Sequence, residues 1–389
     1  MNRRAFFGLM LIEMMLAFGS TFAASFNMIY LFNELRMPLW AGPMYLMVGF
    51  GIATVASYWM SWKPHINPRN AIMFGLAWLC VEYSLFLIVH DGWLLGILVG
   101  IAFGLYYPFF WTPINILMAR MTDKSDRGVT YGVFFFLWPL ATFVAPLLGG
   151  LVIGFADYRV LFLVGIAIIG STIGVVYAYR HHIPKEQVMR IRLDAMGRRN
   201  VLAVVGEGGF EGIFWVDITI VAYMFSSDEV ALGALFSLFG LSAGLMGIIL
   251  GKVSDRIQNR ALFLRVSAVF SIPCIVLISL AGTIEEYAVA AGMLEFACFM
   301  LPVFLFAILT DRLEDAKNDS VVGREFLLDA SRFCTIGLLM GMLYLGFSPQ
   351  ECFLLCIPFL LLSMIAAERK EGPLRCEEIA TVGDAHRSY

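Results

Sequence analysis

Twelve apolar stretches, each long enough to cross a lipid bilayer as an α-helix, constrain the fold of this chain more than any other feature. A membrane-spanning helix needs about 20 mainly apolar residues, because its backbone polar groups must be paired within the helix. Of the 389 residues, 60% are hydrophobic and 15% charged, whereas soluble domains average about 45–50% and 25%. The sequence therefore predicts an all-α polytopic membrane protein with twelve transmembrane helices. The stretches cover about 5–32, 39–62, 70–90, 92–119, 129–153, 159–180, 200–226, 229–250, 261–282, 286–310, 322–346 and 350–367.

Basic residues are concentrated in the connections that follow every second helix, and this alternation predicts the orientation of the chain. The remaining turns hold only Arg36 and Arg159. Because Lys- and Arg-rich loops stay on the cytoplasmic side, we expect both termini to be cytoplasmic, in the plasma (inner) membrane. The first stretch continues to about Phe32 and is interrupted by Glu13, so we expect a spanning helix rather than a cleaved signal peptide. The basic connections contain Lys63 and Arg69; Lys124 and Arg127; Lys185, Arg190, Arg192, Arg198 and Arg199; Lys252, Arg256 and Arg260; and Arg312, Lys317 and Arg324.

The stretch from Val201 to Phe225 carries three acids within a length that crosses a bilayer: Glu207, Glu211 and Asp217. Its Val, Leu, Ile and Phe residues favour insertion by about 4–7 kcal/mol in total, whereas three ionised carboxylates oppose it by about 8–10 kcal/mol. We therefore expect these acids to be protonated, or to face water or a partner, and to have a functional role. Four glycines of this stretch would allow close approach of another helix; they are Gly206, Gly208, Gly209 and Gly212.

The chain also contains an internal repeat. The segments Gly19–Tyr30 and Gly212–Tyr223 both place Gly and Tyr eleven residues apart, near the same end of helices 1 and 7. Together with the spacing of the apolar stretches, this predicts two parallel six-helix bundles, residues 1–180 and 200–367. Residues 181–199 form a cytoplasmic linker, which is either an amphipathic helix on the inner leaflet or a solvated tether. A polar cytoplasmic tail occupies 368–389.

The connection between helices 8 and 9 reads Gly251-Lys-Val-Ser-Asp255-Arg256-Ile-Gln-Asn-Arg260. It resembles the G-x-x-x-D-R-x-x-R-R loop of the major facilitator superfamily of secondary transporters, with Asn259 at the first Arg of the closing pair. The resemblance extends over nearly the whole chain, and it implies a conformational gate formed by Gly251, Asp255, Arg256 and Arg260. The family's other copy would lie between helices 2 and 3, where Ser61-Trp-Lys-Pro-His-Ile-Asn-Pro-Arg69 lacks the motif.

Two further motifs are similar to the same family. Arg127 and Gly128, followed by Gly132, resemble the R-G-x-x-x-G that begins helix 5, which adds Arg127 to the gating candidates; a basic anchor with a packing glycine explains it equally well. In helix 5, Ala141-x-x-x-Ala145-Pro146-x-x-Gly149-Gly150 is similar to the G-x-x-x-G-P-x-x-G-G of proton-coupled exporters, with Ala at two Gly positions. This second similarity favours export over uptake.

Polar and aromatic groups at membrane depth are the candidate site residues. In the family's fold helices 1, 4, 7 and 10 line a central cavity, so we expect a small-molecule substrate to meet residues of these helices. The proton-coupling candidates are Glu207, Glu211, Asp217, Glu295 and Glu13. The substrate-cavity candidates are Asn27, Tyr30, Trp111, Asn115, Trp138, Trp215 and Tyr223.

Arg332 lies about ten residues into helix 11, where an unpaired guanidinium is costly. We therefore expect a carboxylate partner, either Asp329 on the same helix or Glu211 or Glu207 across the cavity. Arg332, Asp329 and Glu325 are the groups expected to set the protonation of the acids or to pair with a substrate. Each acid has a simpler interpretation, as a structural ion pair or as a group near the wet interface.

The sequence favours a proton-coupled secondary transporter that works by alternating access and exports a small amphipathic or cationic compound. Proton symport of a polar solute is the alternative within that class. A non-transporting membrane protein on the same fold, such as a scramblase, sensor or assembly partner, is the alternative of another class. We expect no enzymatic activity, no cofactor and no metal, because the cysteines lack metal-type spacing, the histidines lie at loops or helix ends, and no phosphate-binding loop is present. The expected partners are the lipid bilayer, protons and a small-molecule substrate, with no nucleic acid, and the protein is expected to be a monomer.

Overall fold

A computed structural model of the protein describes residues 3–62, 65–121, 127–253, 260–312 and 317–365. Apart from one turn of 3-10 helix at Phe353–Leu355, the regular structure of these residues is α-helix and two very short strands. The helices are α1 (Arg3–Ala24), α2 (Asn27–Asn33), α3 (Met44–Trp62), α4 (Pro68–Ile88), α5 (Gly92–Met121), α6 (Arg127–Phe155), α7 (Tyr158–Ala178), α8 (Leu193–Phe225), α9 (Glu229–Val253), α10 (Arg260–Leu280), α11 (Ile284–Cys298), α12 (Met300–Arg312), α13 (Lys317–Tyr344), α14 (Pro349–Cys352) and α15 (Cys356–Ser363). The strands are β1 (His65–Ile66) and β2 (Gln187–Val188).

Ten helical segments of the described chain are long and apolar enough to cross a membrane. Two of them are continuous pairs of helices: α1 with α2 forms the span Phe6–Asn33, and α11 with α12 forms Ile284–Thr310. The prediction of an all-α integral membrane protein is confirmed. Helix α8, with its three acids, is not among the ten, and Pro349–Ser363 is a shorter apolar helix. The count of twelve crossings stays a prediction.

Side-chain caps begin several helices at the turns expected from the sequence. Asp157 Oδ1 accepts a hydrogen bond from the backbone N–H of Val160 at 2.9 Å, at the start of α7. At the start of α14 the cap is reciprocal: the backbone N–H of Ser348 donates to Glu351, and the Glu351 N–H donates to Ser348 Oγ. The bonds from the Ser348 N–H and hydroxyl hold the pKa of the Glu351 carboxyl below its ordinary value. Caps of this kind satisfy N–H groups that a helix leaves unpaired at its first turn.

Two helix pairs join the first part of the chain to the second: α6 packs along α9, and α3 packs along α13. Helix α8 lies between α13 and α15, and α5 also contacts α13. The buried apolar residues form one large cluster that draws on nearly every helix. The candidate site therefore lies where α8 and α13 meet α3 and α5. The division into bundles 1–180 and 200–367, with a tail at 368–389, stays a prediction.

The linker differs from one of its two interpretations. An amphipathic helix over 181–199 is wrong, because β2 lies within that range and α8 begins only at Leu193. Strand β2 pairs antiparallel with β1, with His65 opposite Val188 and Ile66 opposite Gln187. The backbone groups that a helix would have satisfied internally are bonded between the two strands instead. The linker is thereby attached to the connection between α3 and α4.

Candidate functional site

Close contact between α8 and α13 begins with two glycines of α8. A Cβ atom at Gly208 would lie 2.8 Å from the backbone oxygen of Leu328, and one at Gly212 would lie 2.9 Å from the Cα atom of Arg332. Any larger residue would therefore push the helices apart. The close approach is the one expected from the glycines of this segment, and it brings the acids of α8 within reach of the bases of α13.

Arg332 is bonded to two carboxylates and a phenol. Its Nε donates to Glu211 Oε2 at 3.1 Å, and its Nη2 donates to the same oxygen. Its Nη1 donates to Asp329 Oδ1 at 3.1 Å and to the Tyr107 hydroxyl at 3.2 Å. Only 3% of Arg332 is exposed. The structure thus supplies carboxylate partners for this guanidinium on its own helix and on the facing one, as the cost of burying it requires.

A second buried guanidinium lies two helical turns earlier on α13. Arg324 donates through Nη2 to Glu207 Oε1, and through Nη1 to Glu325 Oε1 at 2.8 Å. The ring of Phe306 lies 5.1 Å from the Arg324 guanidinium carbon. The sequence interpretation counted Arg324 among the bases of a cytoplasmic connection, whereas only 5% of it is exposed. Its spacing of eight residues from Arg332, matched by two glutamates four apart on α8, was the signal that could have identified it.

These six side chains form one buried charged cluster with more acids than bases. Every member is less than 9% exposed, and the ion pairs connect each guanidinium to two carboxylates. Within the cluster two carboxylates are therefore in excess over the guanidiniums. Uncompensated charge at low dielectric is costly, so the excess must be neutralised by protons or by a cation. The cluster consists of Glu207, Glu211, Arg324, Glu325, Asp329 and Arg332.

Three aromatic rings surround the Arg332 guanidinium. Its central carbon lies 4.7 Å from the ring centroid of Trp215, 5.3 Å from that of Phe50 and 5.5 Å from that of Tyr107. The rings come from α8, α3 and α5, so both parts of the chain contribute to the enclosure. Aromatic faces at these distances attract a cation. We call Phe50, Tyr107 and Trp215 the aromatic cage.

A second set of polar contacts joins the two parts of the chain where α2 and α8 end. Asn33 Nδ2 donates to Glu229 Oε1 at 2.6 Å and to the backbone oxygen of Ser227 at 3.0 Å. The Tyr223 hydroxyl donates to Asn33 Oδ1 at 2.9 Å, and the Tyr158 hydroxyl donates to Glu229 Oε1 at 2.9 Å. Tyr223, expected in the substrate cavity, lies in this network, which we call the end network.

Two candidates of the first span and two of the later helices lie apart from the charged cluster. Glu13 is 2% exposed, and its Oε2 has no hydrogen-bond partner. Asn27 donates to Glu82 Oε1 at 3.0 Å. Asp217 is fully buried, with neither carboxylate oxygen hydrogen-bonded, and Glu295 is half-buried on α11. The structure does not bring these groups into contact with Arg332.

The remaining aromatic and amide candidates pack within the first part of the chain. The rings of Trp111 and Trp138 lie 5.5 Å apart, between α5 and α6. Tyr30 is surrounded by the rings of Phe86, Tyr158 and Phe162, and Asn115 is buried on α5. These four therefore have packing partners that account for their burial without a substrate.

The gating candidates of the connection between α9 and α10 are only partly described. Asp255 and Arg256 lie outside the described residues, as do the neighbouring residues 254–259. Gly251 lies in α9, Arg260 begins α10 and Arg127 begins α6. Among the described residues, no group of three or more His, Cys, Asp or Glu side chains could hold a metal ion.

Comparison with known proteins gives similarity in structure more than in sequence. No family model matches the chain. An uncharacterized protein, YqgE of Bacillus subtilis (strain 168), is 24% identical over 155 residues, which are 37% of this chain and 35% of YqgE. The chain thus spans about a third of the length of that relative.

Three solved structures match almost the whole chain. The human organic anion transporter MFSD10 (TETRAN) superposes with a TM-score of 0.68 at 13% identity, over 94% of this chain and 99% of its own. The E. coli fucose:proton symporter FucP, a Major Facilitator Superfamily transporter, gives 0.66 at 12% identity, over 92% and 97%. A bacterial homologue of the iron transporter ferroportin gives 0.69 at 11% identity, over 93% and 98%. The chain has the fold of the major facilitator superfamily of transporters.

Proposed function

We propose that this protein is a secondary active transporter that works by alternating access and uses protons as the coupling ion. The observation that carries the proposal is the buried charged cluster, in which two carboxylates are in excess over the guanidiniums. Such an excess needs protons or a cation, and a group that must exchange them is what coupling requires. The fold supports the proposal, since FucP is a proton symporter by its description.

Glu211 is the proposed proton carrier, with Glu207 as the second. Glu211 shares the Arg332 guanidinium with Asp329, so protonation of Glu211 leaves Arg332 with Asp329 as its carboxylate partner. Because Arg332 also bonds Tyr107 of the other part of the chain, a change of charge at Glu211 alters a contact between the parts. Proton transfer and the relative movement of the two parts are thereby linked.

The proposed cargo is a small amphipathic or cationic compound, and the proposed direction is export. The cluster favours a cation, because each of its guanidiniums is already bonded to two carboxylates and neither is available to an anion without breaking an ion pair. The helix 5 motif around Pro146 favours export. Proton symport of a polar solute is the second candidate, since FucP has that activity.

The proposed topology has twelve crossings in two six-helix bundles, with both termini cytoplasmic, in a monomer of the plasma membrane. The end network would then lie at the outer surface, because Asn33, Ser227 and Glu229 lie in or beside turns poor in Lys and Arg. The paired strands β1 and β2 would lie on the cytoplasmic side.

The proposal is tested with purified protein in liposomes that contain the pH-sensitive dye pyranine. Under an imposed pH gradient, addition of ethidium or tetraphenylphosphonium should cause proton movement in wild-type vesicles. Glu211→Gln should abolish the movement, whereas Glu285→Gln, at an exposed acid on α11, should leave it unchanged. Proton movement that persists in Glu211→Gln would remove Glu211 from the coupling role. A broad compound panel that elicits no proton movement in the wild type would overturn the function itself.

A further inference from the structure

The enclosure around Arg332 contains the elements of a binding site for an organic cation. Three rings face the guanidinium at 4.7–5.5 Å, and the carboxylates of Glu211 and Asp329 accept its N–H groups. Delocalised cations are recognised by aromatic faces together with carboxylates, because both offer negative potential where water is excluded. In this structure the enclosed cation belongs to the protein's own chain.

We propose that the aromatic cage is the substrate subsite for a planar organic cation, such as a guanidinium or amidinium group on an apolar body. Arg332 occupies this subsite between transport events, and the cargo takes its place. The proposal rests on the proposed function and specifies its substrate class. It assigns cargo recognition to Phe50 and Tyr107, which carried no assignment from the sequence, together with Trp215.

The charge and donor pattern favours a cation over an anion. The guanidinium of Arg332 directs Nε and Nη2 to Glu211, and Nη1 to Asp329 and Tyr107. An anion would have to break these bonds and would enter beside carboxylates already in excess. A cation instead replaces one positive group by another and keeps the acceptors satisfied.

Exchange between Arg332 and a cargo is sterically reasonable because the cage has an open side. Trp215 is 39% exposed although one face of its ring lies against the guanidinium, whereas Arg332 itself is 3% exposed. The arginine side chain has a long flexible stem, so its head group can leave the cage while its Cα atom stays packed against Gly212. The cargo would approach along the free face of Trp215.

Binding is measured by calorimetry on the full chain in lipid nanodiscs, with phenylguanidine as the cationic probe. Phenylurea, which has a similar shape without the charge, and benzoate, an anion, are the matched probes. Wild-type protein should bind phenylguanidine and neither of the others. Arg332→Ala should lower the dissociation constant for phenylguanidine at least tenfold, because the competing guanidinium is gone. Trp215→Leu should raise it about tenfold, whereas Trp93→Leu, an exposed tryptophan on α5, should not change it.

Trp215→Leu retains the ion pairs of Arg332, so it keeps the test informative where Arg332→Ala does not fold. Benzoate binding that is lost in a folded Arg332→Ala protein would overturn the proposal and assign Arg332 to an anionic cargo. Absence of phenylguanidine binding, or binding insensitive to Trp215→Leu, would also overturn it. Proton movement with other compounds in the liposome assay, without phenylguanidine binding, would leave the transporter function intact. Binding without proton movement by any compound would support the subsite and contradict the proposed coupling.

Discussion

Tyr107 and Arg332 are 225 residues apart in the sequence, yet the Nη1 atom of Arg332 donates a hydrogen bond to the Tyr107 hydroxyl at 3.2 Å. The bond connects α5 with α13, and the same phenol ring forms one wall of the aromatic cage. A hydrogen bond to a charged group contributes about 1.5–3 kcal/mol. This contact therefore stabilises the arrangement in which the two parts of the chain meet at the charged cluster.

A double-mutant cycle measures that contact. Tyr107→Phe keeps the ring and removes the hydroxyl, and Arg332→Gln removes the charge. We expect a coupling of about 1–3 kcal/mol between the two substitutions in the free energy of unfolding, because each removes the same bond. Reversible unfolding in mixed detergent micelles gives the four free energies. Strictly additive effects would show that Tyr107 contributes only through its ring.

The Arg324–Glu207 pair should be far more important for stability than an exposed pair of the same chemistry. Arg324→Ala leaves two carboxylates buried without their guanidinium, and we expect a loss of about 3–5 kcal/mol. The matched control is Arg192→Ala, since Arg192 and Asp194 pair at 3.2 Å with side chains 52% and 74% exposed. That substitution should cost less than about 1 kcal/mol. Equal losses in thermal melts of the two variants would contradict the burial argument.

Combining Arg324→Ala with Glu207→Gln should restore part of the lost stability. The double variant removes one uncompensated carboxylate, so its melting temperature should lie above that of Arg324→Ala alone. Glu325→Gln in the same background should act in the same direction, because Glu325 is the other carboxylate bonded to Arg324. A double variant less stable than Arg324→Ala would show that Glu207 is stabilised by groups other than this guanidinium.

Gly212 is predicted to be intolerant of any side chain, because α13 lies against it. A Cβ atom at Gly212 would approach the Cα atom of Arg332 to 2.9 Å, whereas one at Gly341 of α13 meets nothing within 4 Å. Gly212→Ala should therefore destabilise the protein by about 1–3 kcal/mol and weaken coupling between proton and cargo movement. Gly341→Ala is the control, and it should be neutral or slightly stabilising, since Ala favours helix over Gly. Thermal melts and the liposome assay test both variants.

Much of the membrane architecture follows from the sequence, because apolar length and the distribution of bases are local properties of the chain. The shared face of Glu207 and Glu211 also follows from their spacing of four residues. The fate of Asp217 does not: six residues beyond Glu211, it is rotated by about 240° around the helix axis, away from the cluster. The sequence gives the angle between two side chains of one helix, whereas the neighbour that each meets depends on packing.

Two residues of the site show where sequence reasoning stops. Phe50 is one phenylalanine among many in apolar helices, and its contact with Arg332 arises only because α3 packs along α13. Arg324 lies close to the beginning of its helix, and counting bases by loop cannot distinguish a solvated arginine from one paired inside the protein. Both assignments needed the tertiary contacts between distant parts of the chain.

The end network is predicted to favour the closed arrangement at its end of the molecule. Asn33→Ala removes two donated bonds and one accepted bond that join the parts of the chain, so the open arrangement should become more populated, by about fivefold to tenfold for 1–1.4 kcal/mol. Spin labels introduced by His90→Cys and Glu285→Cys, at exposed positions in turns of the two parts, report the distance across this end. Ser227→Ala is the control, because Ser227 takes part through its backbone oxygen alone. A longer distance should gain population in Asn33→Ala and not in Ser227→Ala. Identical distance distributions in the two variants would show that the network does not hold this end closed.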